Sequence, residues 1–265
     1  MKISNAKALA AAVEAARAVG KLMRQNWRTT KTVNCETQHD IKLELDVRSQ
    51  KLIEKMLHRK FPQIAVLGEE GICGDQNAEY RWVIDPIDGT VNFSYQIPHS
   101  CVSIALQRKV QSPKSKSQSY ETLVGVVHDP FCDELWTAIR GQKARLNGKI
   151  IRVSKRNRLE NSIVSTGFGK SKESVDASLV FFNKLLMRVR KVRMMGAAAL
   201  AMVYVASGRF DAYVESHISL WDIAAGGLIL ECAGGEFWNC SIEGEHAYRI
   251  LANNGLLRRQ LENLR

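Results

Sequence analysis

Asp85-Pro86-Ile87-Asp88-Gly89-Thr90 sets two carboxylates three residues apart around a proline and a glycine, with a hydroxyl at the exit. The preceding Tyr80-Arg81-Trp82-Val83-Ile84 reads as a buried strand. A strand that stops on two carboxylates aims both at one point outside the sheet edge, where a hard divalent cation would neutralise them. That chemistry is metal-assisted work on phosphate. The alternative is a plain turn, because Pro presets φ, Gly tolerates positive φ, and Asp-Pro and Asp-Gly are ordinary connection dipeptides. On this segment alone the two readings weigh equally.

Other acidic positions shift the balance. Glu69-Glu70 follows the apolar stretch 63–67, Asp222 stands at the head of an apolar helix, and Asp46 lies near the start of another. Each has an ordinary reading as a solvated turn, an N-cap or a dipole partner. Together they suit magnesium, which takes carboxylate and carbonyl oxygen and keeps waters that can become nucleophiles. The six cysteines form no C-x-x-C pair and the six histidines no H-E-x-x-H spacing, so a metal site here is built of oxygen and the thiols are free. Gly89 permits close backbone approach, and amides at the start of a short helix after Gly89-Thr90 could cradle a phosphate oxygen. Gly196-Ala197-Ala198 repeats this logic more weakly.

These residues need elements to hold them. Apolar spacing places helices over about 4–28 and 45–60, and strands over 63–67, 80–84, 101–108, 122–129 and 133–139. The strands follow one another as a meander, which makes the first half α+β. In the second half, strands over 162–167, 192–194 and 210–215 alternate with helices over 175–190, 197–207 and 223–232, the last closed by Gly234-Gly235. No linker divides the halves, and the boundary is set at 1–145 and 146–265.

The ordered set Gly68-Glu69-Glu70, Asp85-Pro86-Ile87-Asp88-Gly89-Thr90 and Trp221-Asp222-Ile223-Ala224-Ala225-Gly226 resembles the inositol monophosphatase family of magnesium-dependent, lithium-sensitive phosphatases. The resemblance spans almost the whole chain and implies a layered α/β sandwich of alternating helix and sheet layers, of the sugar-phosphatase type, usually dimeric. It implies two or three magnesium ions. Glu69, Asp85 and the Ile87 carbonyl would hold the first, and Asp85, Asp88 and Asp222 the second. Asp46, Glu69 and Thr90 would be catalytic through the attacking water, while the Gly89 and Thr90 amides would hold phosphate. Glu215 would bind substrate hydroxyls with Gly196, Ala197 and Ala198 beside the ring, and Asp88 and Asp222 would also face the substrate. Ala197 stands where several members place Thr, and Asp40 to Asp46 departs from the commoner Val-Thr-x-x-Asp form.

The implied reaction is hydrolysis of a small phosphorylated polyol or amino alcohol, inositol 1-phosphate first, with histidinol phosphate or fructose 1,6-bisphosphate as alternatives. A haloacid-dehalogenase reading fails on spacing, since that class needs Asp-x-Asp. The net charge of +11 favours anionic partners, but no RNP motif, zinc finger or basic recognition helix points to nucleic acid, which is expected to be an unlikely partner; the non-enzyme alternative is a basic RNA-associated regulatory protein on this scaffold. The Lys/Ser-rich stretch 109–119 reads as a solvated loop. No apolar run approaches the roughly 20 residues of a membrane span, and a cytoplasmic location is expected.

Overall fold

A computed structural model of the chain describes residues 3–38, 40–111, 118–169, 172–244 and 246–264. Five layers alternate, helix against sheet. The outermost holds α1 (Asn5–Asn26) and α2 (Glu44–Lys60), joined by the hairpin β1 (Val33–Thr37) and β2 (Asp40–Leu43). α1 turns an alanine stripe inward (Ala8, Ala11, Ala12, Ala15 and Ala16), and these small side chains let it lie close on the sheet beneath.

That sheet has eight strands in the order β10-β9-β8-β7-β6-β5-β3-β4. They are β3 (Ala65–Gly68), β4 (Gly71–Cys73), β5 (Tyr80–Asp88), β6 (Cys101–Gln111), β7 (Gln118–Asp129), β8 (Glu134–Ile139), β9 (Arg145–Leu146) and β10 (Lys149–Ile150), with helix α3 (Thr90–Ser94) between β5 and β6. Strands β5 to β10 run as the expected antiparallel meander, and β3 pairs parallel to β5. The sheet passes the boundary drawn at residue 145, because β9 and β10 form a hairpin that folds back on β8. Of the stretch 109–119, residues 112–117 lie outside the described residues; the others extend β6 and β7 into a longer hairpin.

Both faces of this sheet are covered, so its strands are buried on alternate sides. Trp82, Ile84, Ile104 and Val126 face α1 and α2, whereas Val83, Cys101, Ala105 and Val127 face a central layer formed by α5 (Ala198–Ala206) and α6 (Leu220–Cys232). A second sheet of five strands, ordered β12-β11-β13-β15-β14, covers the far side of that layer. Its strands are β11 (Ile163–Thr166), β12 (Lys191–Arg193), β13 (Ala212–Ser219), β14 (Glu236–Ser241) and β15 (Ala247–Asn253). Helices α4 (Lys172–Leu186) and α7 (Arg258–Glu262) close the outer face around Val164, Leu185, Leu251 and Leu261. The sequence reading carried no element beyond Gly235 and missed the β1–β2 hairpin, because β1 is exposed throughout and 250–253 is buried without alternation.

α6 is buried without a break from Ile223 to Leu230 and is seated by contacts that only glycine allows. A Cβ on Gly125 of β7 would lie 2.8 Å from the Ala225 carbonyl oxygen, so the helix backbone rests directly on the sheet. Gly125→Ala must therefore push backbone apart. It is expected to cost about 1–3 kcal/mol, seen in thermal unfolding as a Tm lower by roughly 2–4 °C per kcal/mol. An unchanged Tm would show that this contact does not hold α6.

Candidate functional site

In a regular strand residues i and i+3 point to opposite faces. Asp85 and Asp88 escape this. Asp85 stands opposite Ser103 and Asp88 opposite Cys101, so β5 takes three steps where β6 takes two. This bulge turns both carboxylates to the face that meets α5 and α6, and sends Ile87 into the core on the α1 side. Pro86 sits in it without cost, since a bulge need not supply a ladder amide. The acids are thus inside a strand that continues through Asp88, not in a turn beyond a strand ending at Ile84. The extra residue, invisible to a period-2 pattern, makes the difference.

Backbone amides fix each carboxylate. Asp85 Oδ1 accepts from the Ile87 amide at 2.9 Å. Asp88 accepts from the first amides of α5, Ala198 N at 3.1 Å and Ala199 N at 2.7 Å, with Cys101 Sγ at 3.5 Å. The helix dipole adds to this hold. Asp222, in the first turn of α6, accepts from Ser219 N at 3.0 Å, and Ser103 Oγ ties the same turn to β6 by donating to the Trp221 carbonyl at 3.1 Å. One oxygen from each of Asp85, Asp88 and Asp222 lies within 4.8 Å of the others. Glu69 opens the β3–β4 turn, which Gln50 clamps by accepting from Glu70 N at 2.9 Å and donating to the Gly71 carbonyl at 3.0 Å.

These acids border a cleft of about 600 Å³ lined from both sheets, and every expected site residue except Asp46 lines it. Asp46 is buried apart from the lining; its Oδ2 accepts from Leu43 N at 2.7 Å and its buried Oδ1 has no partner. Gly89 has φ 88° and caps α3, and a Cβ there would stand 2.9 Å from the His99 carbonyl oxygen, so only glycine makes the turn. Thr90 Oγ1 donates to the Ile87 carbonyl at 2.8 Å. The Ala198 amide serves Asp88, which leaves this segment offering the cleft a small-residue surface. Glu215 is held by the Tyr213 hydroxyl, which donates to it.

Among the lining residues that escaped sequence reasoning are Asn92 and His217. Asn92 Nδ2 donates to the His99 carbonyl at 2.9 Å and the Met195 carbonyl at 2.7 Å, stitching α3 to the start of α5. No local signal announces a tie across a hundred residues. His217 lines the cleft from β13 with φ 64°, and nothing in its neighbours' types marks that conformation.

Burial dominates the electrostatics. It pushes Asp85 well above the carboxylate range, reinforced by Glu69, Asp88 and Asp222. It takes Asp88 up to about 7 against the Ala199 and Ala198 amides, and Asp46 up to about 8 against the Leu43 amide, with Glu69 and Glu70 adding to the rise. Acids crowded out of water repel one another unless protonated or bridged by a cation. An all-oxygen donor set with an unpartnered Asp46 oxygen nearby fits magnesium. A carboxyl whose folded pKa is raised adds stability below the unfolded value of 3.8 and loses it as pH climbs through the folded value. In chelator, Asp85→Asn should therefore melt above the unmodified chain at pH 8, by roughly 2–4 °C per kcal/mol relieved, with the gap closing toward pH 4. Magnesium should reverse the order at pH 8. An equal gap at both pH values in thermal unfolding would refute the repulsion.

Comparison with known proteins agrees with this geometry. The profile of the Inositol monophosphatase family matches residues 4–264. The chain is 36% identical over 241 residues to Inositol monophosphatase 1 of Solanum lycopersicum, covering 88% of this chain and 84% of that protein. It is 39% identical over 242 residues to a protein of Xylella fastidiosa named Nus factor SuhB, covering 90% and 83%. The solved inositol monophosphatase from Anabaena superposes with a TM-score of 0.83 at 34% identity, covering 98% and 96%. These relatives lend no support to the expectation that nucleic acid is an unlikely partner. The ordered acidic motifs, the five alternating layers and the match along the whole chain place this protein in the inositol monophosphatase family.

Proposed function

We propose that this protein is a cytoplasmic, homodimeric, magnesium-dependent phosphatase that hydrolyses a small phosphate monoester, with inositol 1-phosphate the first candidate and histidinol phosphate or fructose 1,6-bisphosphate the alternatives. The observation that carries the reading is the convergence of Asp85, Asp88 and Asp222 within 4.8 Å beside a cleft that Glu69, Gly89 and Thr90 also line. Family membership and the likeness to an inositol monophosphatase of Solanum lycopersicum support it. So does the absence, among the described residues, of a helix long and apolar enough to cross a membrane.

Glu69, Asp85, Asp88, Asp222 and the Ile87 carbonyl would hold two or three magnesium ions, which when bound neutralise phosphate charge and acidify water. The remaining work falls to the chain. The Thr90 hydroxyl, its proton committed to the Ile87 carbonyl at 2.8 Å, keeps lone pairs that accept from the attacking water. Glu69, on the cleft lining, orients that water, and Asp46, which Glu69 repels, acts on it from behind the lining. The Gly89 and Thr90 amides open α3, where no intrahelical carbonyl takes them, and they donate to phosphate oxygens. Glu215, oriented by Tyr213, accepts from hydroxyls of the alcohol, and Gly196, Ala197 and Ala198 give its ring room.

A panel of phosphate monoesters assayed with magnesium, with and without lithium, tests the reading. Turnover that needs magnesium and falls with lithium is expected, with one ester favoured by orders of magnitude. Asp85→Asn should lower kcat/KM by about 10³ or more while circular dichroism stays native. Near-normal turnover by that folded variant would end the assignment.

A further inference from the structure

β13 also carries a bulge, between Ser216 and Ile218 opposite β15, and His217 stands in it. Its φ of 64° is a left-handed conformation that glycine adopts freely and an L side chain adopts at a cost. Among the described residues five non-glycines have positive φ, and His217 alone of them lines the cleft. Strain kept where a side chain faces a binding space points to a task for that side chain.

Beyond this wall lies a second cavity of about 210 Å³. Thr166, Gly167, Glu215 and His217 belong to both spaces. At this wall the Glu215 carboxylate packs directly on Gly167, where a Cβ would stand 2.0 Å from Glu215 Oε2. The smaller cavity adds Arg249, opposite Ser216 in the β13–β15 register, and the apolar side chains of Val214 and Phe181. Both residues are exposed, and a guanidinium and an imidazole on one cavity offer an anion several N–H donors.

Resting on the phosphatase reading, we infer that His217 and Arg249 form a specificity subsite for a second anionic group, carboxylate or phosphate, carried by the alcohol part of the substrate. The phosphate to be cleaved lies at the acidic end of the cleft, Glu215 takes a hydroxyl in the middle, and the second anion reaches the His217 and Arg249 side. The substrate class becomes phosphate esters charged at both ends.

Two substrate pairs test this with the full-length chain and magnesium. Glucose 6-phosphate against 6-phosphogluconate reads the carboxylate source, and fructose 6-phosphate against fructose 1,6-bisphosphate reads the phosphate source. The doubly charged member of at least one pair should have a kcat/KM about tenfold higher, chiefly through KM. Arg249→Gln and His217→Gly should each cut that ratio several-fold, and Arg249→Lys should restore most of it. His217→Gly should also raise Tm as backbone strain is lost, which separates a lost subsite from a damaged fold. Turnover without preference for either doubly charged ester, or a ratio unmoved in both variants, overturns the subsite while leaving the phosphatase. Folded protein that hydrolyses none of the four esters, nor inositol 1-phosphate, overturns the phosphatase reading and the subsite with it.

Discussion

Mutual repulsion among buried carboxylates is the constraint around which this protein is built. Glu69, Asp85, Asp88 and Asp222 border one cleft, and burial raises the pKa of Asp85 and Asp88 before any neighbour is counted. Such a cluster persists only where each acid is tied down by something rigid. The ties are backbone amides: Ile87 for Asp85, Ala198 and Ala199 for Asp88, and Ser219 for Asp222. Amides in strands and helix starts do not swing away, so the repulsion stays stored for a cation to relieve.

The layers supply that rigidity. α5 and α6 lie between two sheets and present their N-terminal turns to the bulge of β5. Asp88 reaches α5, Ser103 reaches the α6 turn, and Gly125 lets α6 settle on the sheet. A displacement of either helix would separate the carboxylates. The core between the sheets is therefore also the device that sets the distances of the site, and Asn92 adds a polar stitch across the same seam.

Much of the site was legible in the chain because several acids stand at the edges of apolar runs: Glu69 after 63–67, Asp85 and Asp88 after 80–84, and Asp222 at the head of an apolar helix. Any one of them reads equally well as a turn or a cap, and it was their combination that stood out. Less legible were features whose signal is spread over distance. The bulge at Pro86 needs β6 as a ruler, the conformation of His217 needs β15, and the place of Asp46 outside the cleft lining depends on how α2 packs. After Gly235, β15 was missed because residues buried in a sheet interior lose the alternation that marks a half-exposed strand, and β14 because its half-buried start runs into an exposed end without alternating.

The sequence by itself determined the chemistry available: an oxygen-only donor set, no thiol or imidazole spacing for a softer metal, glycines where backbone must approach a ligand, and enough apolar content for a layered core. Residue type and local spacing carry that information because donor identity and φ preference are properties of single residues. Only the tertiary structure decided which of those donors meet. Whether two carboxylates share a face turns on one extra residue in a ladder, and whether a third joins them turns on how closely a helix can lie on a sheet. The first is set by the pairing of β5 with β6, close in sequence, and the second by contacts between segments a hundred or more residues apart, Ser103 with Trp221 and Gly125 with Ala225.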